Sequence, residues 1–145
     1  MKKCNWLFFL LIVTTSFMLS CKKKDKVKTC TLSEANFAGS YKIESVKYKL
    51  SPSAAEVDGI SYVDPCELDD ITTFNHTSHT YTYSDAGIVC TPNGDDNGTW
   101  SLSGGSITVD GTAEVIENFT CSNFSLSQTS INTAGDKITI TFKKQ

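Results

Sequence analysis

The 145-residue sequence contains no arginine, and it has little positive charge after residue 28. From Thr29 onward six lysines stand against fifteen aspartates and glutamates, which is a net charge of −9. Proteins that bind nucleic acid need a basic face to neutralise phosphates. The charge balance therefore argues against a nucleic-acid partner.

Sequence patterns that mark common active sites are also missing. There is no glycine-rich phosphate loop, no His-Glu-rich metal helix and no nucleophile elbow. The two histidines, His76 and His79, lie in a segment typical of a strand or hairpin, where residues three apart point to opposite faces. Asp95-Asp96 lacks the alternating spacing of a calcium loop and indicates a polar turn. We therefore expect no catalytic residues, no metal site, no cofactor and no enzyme activity.

Only one long hydrophobic run exists, and it lies at the N-terminus. Two lysines precede an unbroken apolar segment at residues 6–13, and the stretch up to Ser20 is marginal in length for a transmembrane helix. This layout is typical of a secretory signal. We predict that residues 1–20 are a signal peptide.

The end of this run, Met18-Leu19-Ser20-Cys21, resembles the lipobox of bacterial lipoproteins. In those proteins the cysteine is acylated and becomes the new N-terminus. The alternative is an ordinary signal peptide with an incidental cysteine. The resemblance implies lipid, including palmitate, on Cys21, and several acyl chains at about 0.8 kcal/mol per buried methylene would anchor the protein firmly to a membrane.

A basic segment follows the predicted anchor. Residues 22–28 contain five lysines and one aspartate, which indicates a solvated tether that favours anionic head groups by up to about 1 kcal/mol per charge. We assign residues 21–36 to the lipid anchor and tether. The rest, residues 37–145, has a usual size for a single domain.

Four cysteines remain for the exported part: Cys30, Cys66, Cys90 and Cys121. An even number in an oxidising compartment favours two disulfides. Their spacings of 36, 24 and 31 residues lack the close pairs typical of zinc sites. Four cysteines allow three pairings, and the spacing does not choose among them.

Short segments of alternating polarity recur along residues 37–145, and no long amphipathic helix accompanies them. The one helical candidate is Leu32–Phe37, opened by Thr31 or Ser33. Evenly spaced strands with tight turns favour a sandwich or barrel, and we predict an all-β fold, an antiparallel up-and-down β-barrel of about eight strands. The predicted strands are Tyr41–Leu50, Ile71–Asn75, Thr80–Tyr83, Thr99–Ser103, Ile107–Val109, Ala113–Glu117, Phe124–Gln128 and Ile138–Phe142.

The connections carry further predictions. Ser103–Ser106 and Val109–Thr112 are the strongest hairpin turns, and Asp96–Gly98 is a further turn signal. The apolar pattern of the first strand changes phase near Glu44-Ser45, which predicts a bulge there. Residues 51–67 form the longest irregular connection, whose apolar side chains would pack across a barrel mouth.

Three motifs resemble one family in order and spacing. Phe37–Ile43 is similar to its opening Gly-Thr-Trp strand, Cys66–Phe74 to its Cys-acidic-Asp-Asp segment, and Asn97–Leu102 to its second Gly-Thr-Trp strand. The chain thus resembles the lipocalin-like lipoprotein domains of Bacteroidetes. It departs from their pattern at Tyr41, which replaces the tryptophan.

This resemblance implies a lipocalin-like barrel without general catalytic residues. It also implies that Cys66 pairs with Cys90, which leaves Cys30 for Cys121. Surface-exported lipoproteins of this group carry acidic residues after the lipidated cysteine, whereas residues 22–28 are basic. We therefore expect a cell-envelope protein anchored to the outer membrane and facing the periplasm.

Two functions agree with these features. The first is a membrane-anchored module that binds a small apolar ligand, and the alternative is a structural or protein-interaction envelope lipoprotein with a packed barrel. Trp100 is expected inside the barrel, where its indole N–H needs an acceptor. Aromatic residues that could line a ligand pocket, or fill it, are Tyr41, Phe74, Tyr81, Tyr83, Trp100 and Phe142.

Overall fold

A computed structural model describes residues 30–145. The predicted signal peptide (1–20), the lipid site at Cys21 and the basic tether (22–28) lie outside these residues. The described chain has one short α-helix, α1 (Glu34–Phe37), and a 3-10 helix at Ile60–Tyr62. The strands are β1 (Gly39–Lys49), β2 (Val57–Asp58), β3 (Ile71–Asn75), β4 (Thr80–Ser84), β5 (Asp96–Ser103), β6 (Ser106–Val109), β7 (Thr112–Phe119), β8 (Asn123–Thr129) and β9 (Lys137–Lys144).

Eight of these strands form a closed antiparallel barrel. From β3 to β9 each strand pairs with the next in sequence, β1 pairs with β3, and β9 returns to β1 from Tyr41 opposite Lys144 to Lys49 opposite Lys137. The short β2 pairs only with the far end of β1. The predicted eight-stranded up-and-down barrel is confirmed. In residues 30–145 no helix has the length and apolar character to cross a membrane.

Local predictions hold at several points. Ser103 lies opposite Ser106 and Val109 opposite Thr112, as expected of the two hairpins. The register between β1 and β9 shifts between Ile43 and Ser45, where the bulge was predicted. The Ser33 side chain caps α1 by accepting a hydrogen bond from the backbone N–H of Asn36 (3.3 Å).

The predicted turn at Asp96–Gly98 is wrong, because these residues form the first part of β5. Glycine is required at position 98 because a side chain from another turn lies close to its backbone, and not because the chain turns there. The carboxylate of Asp110, from the β6–β7 turn, lies where a Cβ on Gly98 would stand, and it accepts a hydrogen bond from the N–H of Thr99 (2.8 Å). A tight turn and a close backbone contact both favour glycine, so the local sequence did not distinguish them.

Residues 30–36, which were assigned to the tether, are attached to the barrel. Cys30 forms a disulfide with Cys121 in the β7–β8 connection, and α1 follows it directly. The Lys144 side chain crosses Gly39, whose φ is 143°, and donates a hydrogen bond to the carbonyl of Asn36 (2.9 Å). A disulfide and a lysine therefore hold this segment against the barrel.

α1 closes one end of the barrel with an aromatic cluster. Phe37 is fully buried and its ring centroid lies between 4.7 and 6.0 Å from those of Tyr41, Phe74, Trp100, Phe119 and Phe124. The Tyr41 hydroxyl donates to the carbonyl of Phe37, and burial raises the pKa of Tyr41 to about 12. The Trp100 indole donates to the carbonyl of Asn75 (3.1 Å), which supplies the predicted acceptor. This end, with α1 and the β3–β4 turn, is called the closed end.

Candidate functional site

The opposite end of the barrel, called the open end, contains an apolar cavity of about 360 Å³. Ile138, Ile140 and Phe142 alternate along β9 and share its inner face. Leu126 on β8 lies opposite Ile140 and continues this face across the strands. The full lining is Val109, Thr112, Glu114, Leu126, Ser127, Gln128, Ile138, Ile140 and Phe142.

A second cavity of about 320 Å³ adjoins the first through their common residue, Ile138. Its other walls come from Val46 and Tyr48 on β1 and from the connection between β1 and β3. Gly59 in that connection donates a backbone hydrogen bond to the carbonyl of Val46 (2.9 Å). The long connection thus lies at the mouth, but the predicted packing of its apolar side chains is wrong for Tyr62, which is 82% exposed.

The barrel wall is open between β7 and β8 on the same side. These strands pair only from Ile116 opposite Leu126 to Phe119 opposite Phe124. Beyond that, residues 113–115 and 127–131 face each other across a space of about 510 Å³. Side chains cross this space, because Gln128 Nε2 donates to Glu114 Oε1 (2.7 Å).

A second acidic residue stands at the edge of the opening. Glu117 accepts a hydrogen bond from the Ser127 hydroxyl (2.7 Å) and an ion-paired one from Lys137 Nζ (2.5 Å). The bond from Lys137 is the main reason that the pKa of Glu117 is lowered. The Ser127–Glu117 and Gln128–Glu114 bonds link β7 to β8 where the backbone ladder is missing. The gap that they cross shares Glu114, Ser127 and Gln128 with the cavity.

The six aromatic residues predicted to line a pocket do not come together around this cavity. Four of them, Tyr41, Phe74, Tyr81 and Trp100, are buried in the packed core, and only Phe142 stands on the cavity wall. Tyr83 is partly buried and its hydroxyl donates to Asp70. Aromatic rings fill the barrel where they pack against α1. This contact joins segments that are distant in the chain, so the local sequence does not predict it.

Four aliphatic, four polar and one aromatic residue line the cavity, and the sequence analysis missed all but Phe142 as a site. The alternation at 138–142 had identified β9 as a half-buried strand, and its apolar positions are the ones that face the cavity. The polar pair Glu114 and Gln128 carried no sequence signal, because the two residues meet only across the gap between β7 and β8.

Carboxylates order the connection between β4 and β5 at the open end. Asp85 is buried and accepts backbone hydrogen bonds from Cys90 (3.0 Å) and Gly94 (2.9 Å). Asp70, also buried, accepts one from Ala86 (3.0 Å), and Asp69 accepts one from Ile88 (2.9 Å). These acidic residues hold loop N–H groups in place of a regular strand partner.

Asp136 has the same role in the connection between β8 and β9. It is fully buried and accepts hydrogen bonds from the N–H groups of Ile131 (2.7 Å), Asn132 (2.9 Å) and Thr133 (3.0 Å). The Tyr48 hydroxyl donates to it as well (2.9 Å). Burial works to raise the pKa of Asp136, but these hydrogen bonds outweigh it and the pKa is lowered.

The structure contains two disulfides, and their pairing is the one that the family resemblance implied. Cys66 pairs with Cys90, with 5.3 Å between their Cα atoms, and joins two connections at the open end. Cys30 pairs with Cys121, with 5.5 Å between the Cα atoms, at the closed end. Each end of the barrel therefore has its own cross-link.

The two histidine side chains lie close together, although the strand pattern predicted that they would point to opposite faces. Residues 76–79 form a turn, so the rings of His76 and His79 lie on the same side, with centroids 6.1 Å apart. Both face Glu34 of α1: its Oε2 is 3.0 Å from His79 Nε2 and 3.6 Å from His76 Nδ1. The hydrogen bond with His79 is the main reason that the pKa of Glu34 is lowered.

The fold and the cavity define a class of protein. An eight-stranded up-and-down barrel with one plugged end and an apolar cavity at the other is a lipocalin-like barrel. Residues 37–132 match the family model described as the lipocalin-like domain, so the chain belongs to that family. No curated protein matches the chain.

Proposed function

We propose that this protein is a membrane-anchored lipoprotein whose barrel binds a small apolar ligand at the open end. The cavity of about 360 Å³ is the observation that carries the proposal. Small-molecule sites range from roughly 300 to 1,000 Å³ and combine apolar walls with few polar groups. The cavity is at the lower end of that range, and Leu126, Ile138 and Ile140 supply its apolar walls.

The head group of the ligand follows from the charge of the cavity. Among the residues that line it, Glu114 is the only ionisable one, and the domain carries a net charge of −9 from Thr29 onward. An unpaired ligand carboxylate near Glu114 would meet like charge, which is unfavourable. We therefore expect an apolar amine or alcohol, whose N–H or O–H can donate to Glu114, to bind better than a fatty acid.

The proposed role is binding and not catalysis. General acid–base chemistry depends on positioned ionisable groups with perturbed pKa values. Glu114 is the only ionisable side chain that lines the cavity, and it already accepts a hydrogen bond from Gln128. A single carboxylate beside aliphatic walls and three neutral polar side chains supports recognition of a head group.

Filling the cavity with a large side chain tests the ligand proposal. Ile138→Trp puts a large ring into the cavity, whereas Thr139→Trp puts the same ring on the outward face of the same strand. We expect native mass spectrometry of residues 29–145 to show an added mass, lost on denaturation, in the wild type and Thr139→Trp but not in Ile138→Trp. A bare wild-type mass that long-chain amines and alcohols do not shift would contradict ligand binding.

The head group can be tested on the same protein. A long-chain amine and an alcohol should each displace a bound apolar dye at lower concentration than the fatty acid of equal length. Glu114→Gln keeps the size and the contact with Gln128 but removes the charge, so it should abolish the advantage of the amine. Equal affinities for all three in the wild type would contradict the role of Glu114.

The anchor is the second part of the proposal. The lipobox-like ending at Cys21 and the basic residues 22–28 support attachment to the outer membrane, with the barrel in the periplasm. Replacing Cys21 by Ala should release the protein from the membrane fraction of its host. Continued partition of Cys21→Ala into membranes would contradict lipid anchoring.

A second candidate, a protein-interaction role, is favoured by exposed apolar side chains on the open-end connections. Leu50 and Ile88 are 61% and 62% exposed, and Val89 lies beside Ile88. Contiguous exposed apolar side chains, such as Ile88 and Val89, often mark a protein partner. A photo-crosslinking residue at position 88 should then trap one defined partner in host membranes, and one at the outward-facing Ser101 should not.

A further inference from the structure

We propose that Glu34, His76 and His79 form a binding site for Zn²⁺ at the closed end of the barrel. The three side chains come from two segments, α1 and the β3–β4 turn, that the fold brings together. Their three ligand atoms, one from each side chain, all lie within 4.8 Å of one another. The site lies at the opposite end of the barrel from the proposed ligand cavity and does not depend on it.

The distances fit a tetrahedral ion. With bonds of about 2.0–2.1 Å to histidine nitrogen and carboxylate oxygen, two ligand atoms of a tetrahedral Zn²⁺ site are about 3.3 Å apart. Glu34 Oε2 is 3.0 Å from His79 Nε2 and 3.6 Å from His76 Nδ1, values on either side of that separation. Both histidines are about half exposed, so small rotations of their side chains are enough to centre an ion.

The ligand types favour Zn²⁺ over Ca²⁺ and Mg²⁺. Two imidazoles and one carboxylate suit Zn²⁺, whereas Ca²⁺ and Mg²⁺ prefer sites built from oxygen. Three protein ligands leave the fourth tetrahedral position to water. The partial exposure of the site allows that water to be present.

The backbone holds the ligands in place before an ion binds. The side chain of Asn75 accepts hydrogen bonds from the N–H groups of Thr77 (2.9 Å) and Ser78 (3.2 Å), which fixes the turn between the histidines. The carbonyl of His79 accepts a hydrogen bond from the N–H of Trp100 (2.9 Å). Glu34 stands in a helix capped by Ser33 and preceded by a disulfide. Because this backbone is already ordered, little backbone freedom is lost when an ion binds, which favours affinity.

Zn²⁺ titration of the full-length protein, extracted from its host membrane in detergent and stripped with a chelator, tests the site. We expect one Zn²⁺ per chain by calorimetry and a higher melting temperature with Zn²⁺, since an ion that binds only the folded state stabilises it. Co²⁺ bound in the same place should show the visible absorption of a low-symmetry site. The absence of saturable Zn²⁺ binding would overturn the proposal.

Three single variants separate this site from adventitious binding. His76→Ala, His79→Ala and Glu34→Gln should each weaken Zn²⁺ binding by at least about ten-fold, because even the loss of a residue that only orients a metal ligand costs roughly 10–100-fold. Glu34→Gln retains a hydrogen-bond acceptor for His79 and should leave the fold of the metal-free protein intact. Glu56→Gln, an exposed residue at the open end, is the matched control and should bind as the wild type does. Unchanged binding in all three variants would overturn the assignment.

Discussion

The two ends of the barrel are stabilised in different ways. At the closed end, Phe37 brings five aromatic rings together in a packed, buried cluster. At the open end, buried aspartates such as Asp85 and Asp136 hold irregular connections by their N–H groups, and the interior between them is a cavity. A barrel of this size therefore divides its length between a packed core that maintains the fold and a less packed half that is available for binding.

The largest expected effects come from the disulfides, which cross-link one end each. Removing a cross-link raises the entropy of the unfolded chain more when the closed loop is longer. Cys30 and Cys121 are 91 residues apart and Cys66 and Cys90 are 24 apart. Replacing the first pair by alanine should lower the free energy of unfolding by about 4–5 kcal/mol, and the second pair by about 3–4 kcal/mol.

Equilibrium denaturation by urea measures both double variants against the wild type. Each pair is the control for the other, because both changes remove two sulfur atoms and leave the strands unaltered. A larger loss for the open-end pair would show that the 66–90 bond contributes more than its loop length predicts. The closed end would then not be the main source of stability.

The next effect compares two phenylalanines inside the barrel, Phe37 of α1 and Phe142 of β9. Phe37 is fully buried, so Phe37→Ala leaves a void and should lower the free energy of unfolding by ~3–5 kcal/mol. Phe142 borders space that is already open, and Phe142→Ala should cost roughly 1–2 kcal/mol. Thermal unfolding followed by circular dichroism measures both variants. Equal losses would mean that the cavity wall is packed as tightly as the closed end.

The local sequence predicts most of the closed barrel. Alternation in segments such as 138–142 identifies strands because one face is buried, and turns such as 103–106 join neighbours. The phase change at Glu44-Ser45 located the bulge for the same reason. These features depend on periods of two and on short connections, both of which are properties of a few adjacent residues.

The candidate site was less predictable, because its residues meet only after folding. Trp100 and Tyr41 were expected to line or fill the interior, and α1 decides between these outcomes by placing Phe37 among them. Glu114 meets Gln128 because β7 and β8 separate beyond Ile116. Such contacts depend on where two strands stop pairing, and no local pattern in either strand records that point.

The smallest expected effect is a pH dependence of the open end, carried by Asp136. The pKa of its carboxyl is lowered in the folded protein, whereas an unfolded aspartate titrates near pH ~3.9. The folded state then binds the proton less well, so the contribution of Asp136 is complete above that pH and is lost as the pH falls through the lower, folded value.

Asp136→Asn should destabilise the protein at pH 7 and flatten the decline of stability below pH ~4. Asp64→Asn, at an exposed position on the connection between β1 and β3, should keep the wild-type decline. Hydrogen exchange at pH 3 should show residues 130–136 losing protection before the strands around Phe37, because apolar contacts do not titrate. If both ends lost protection at the same time, the protein would unfold as one cooperative unit, and Asp136 alone would not hold the connection in place.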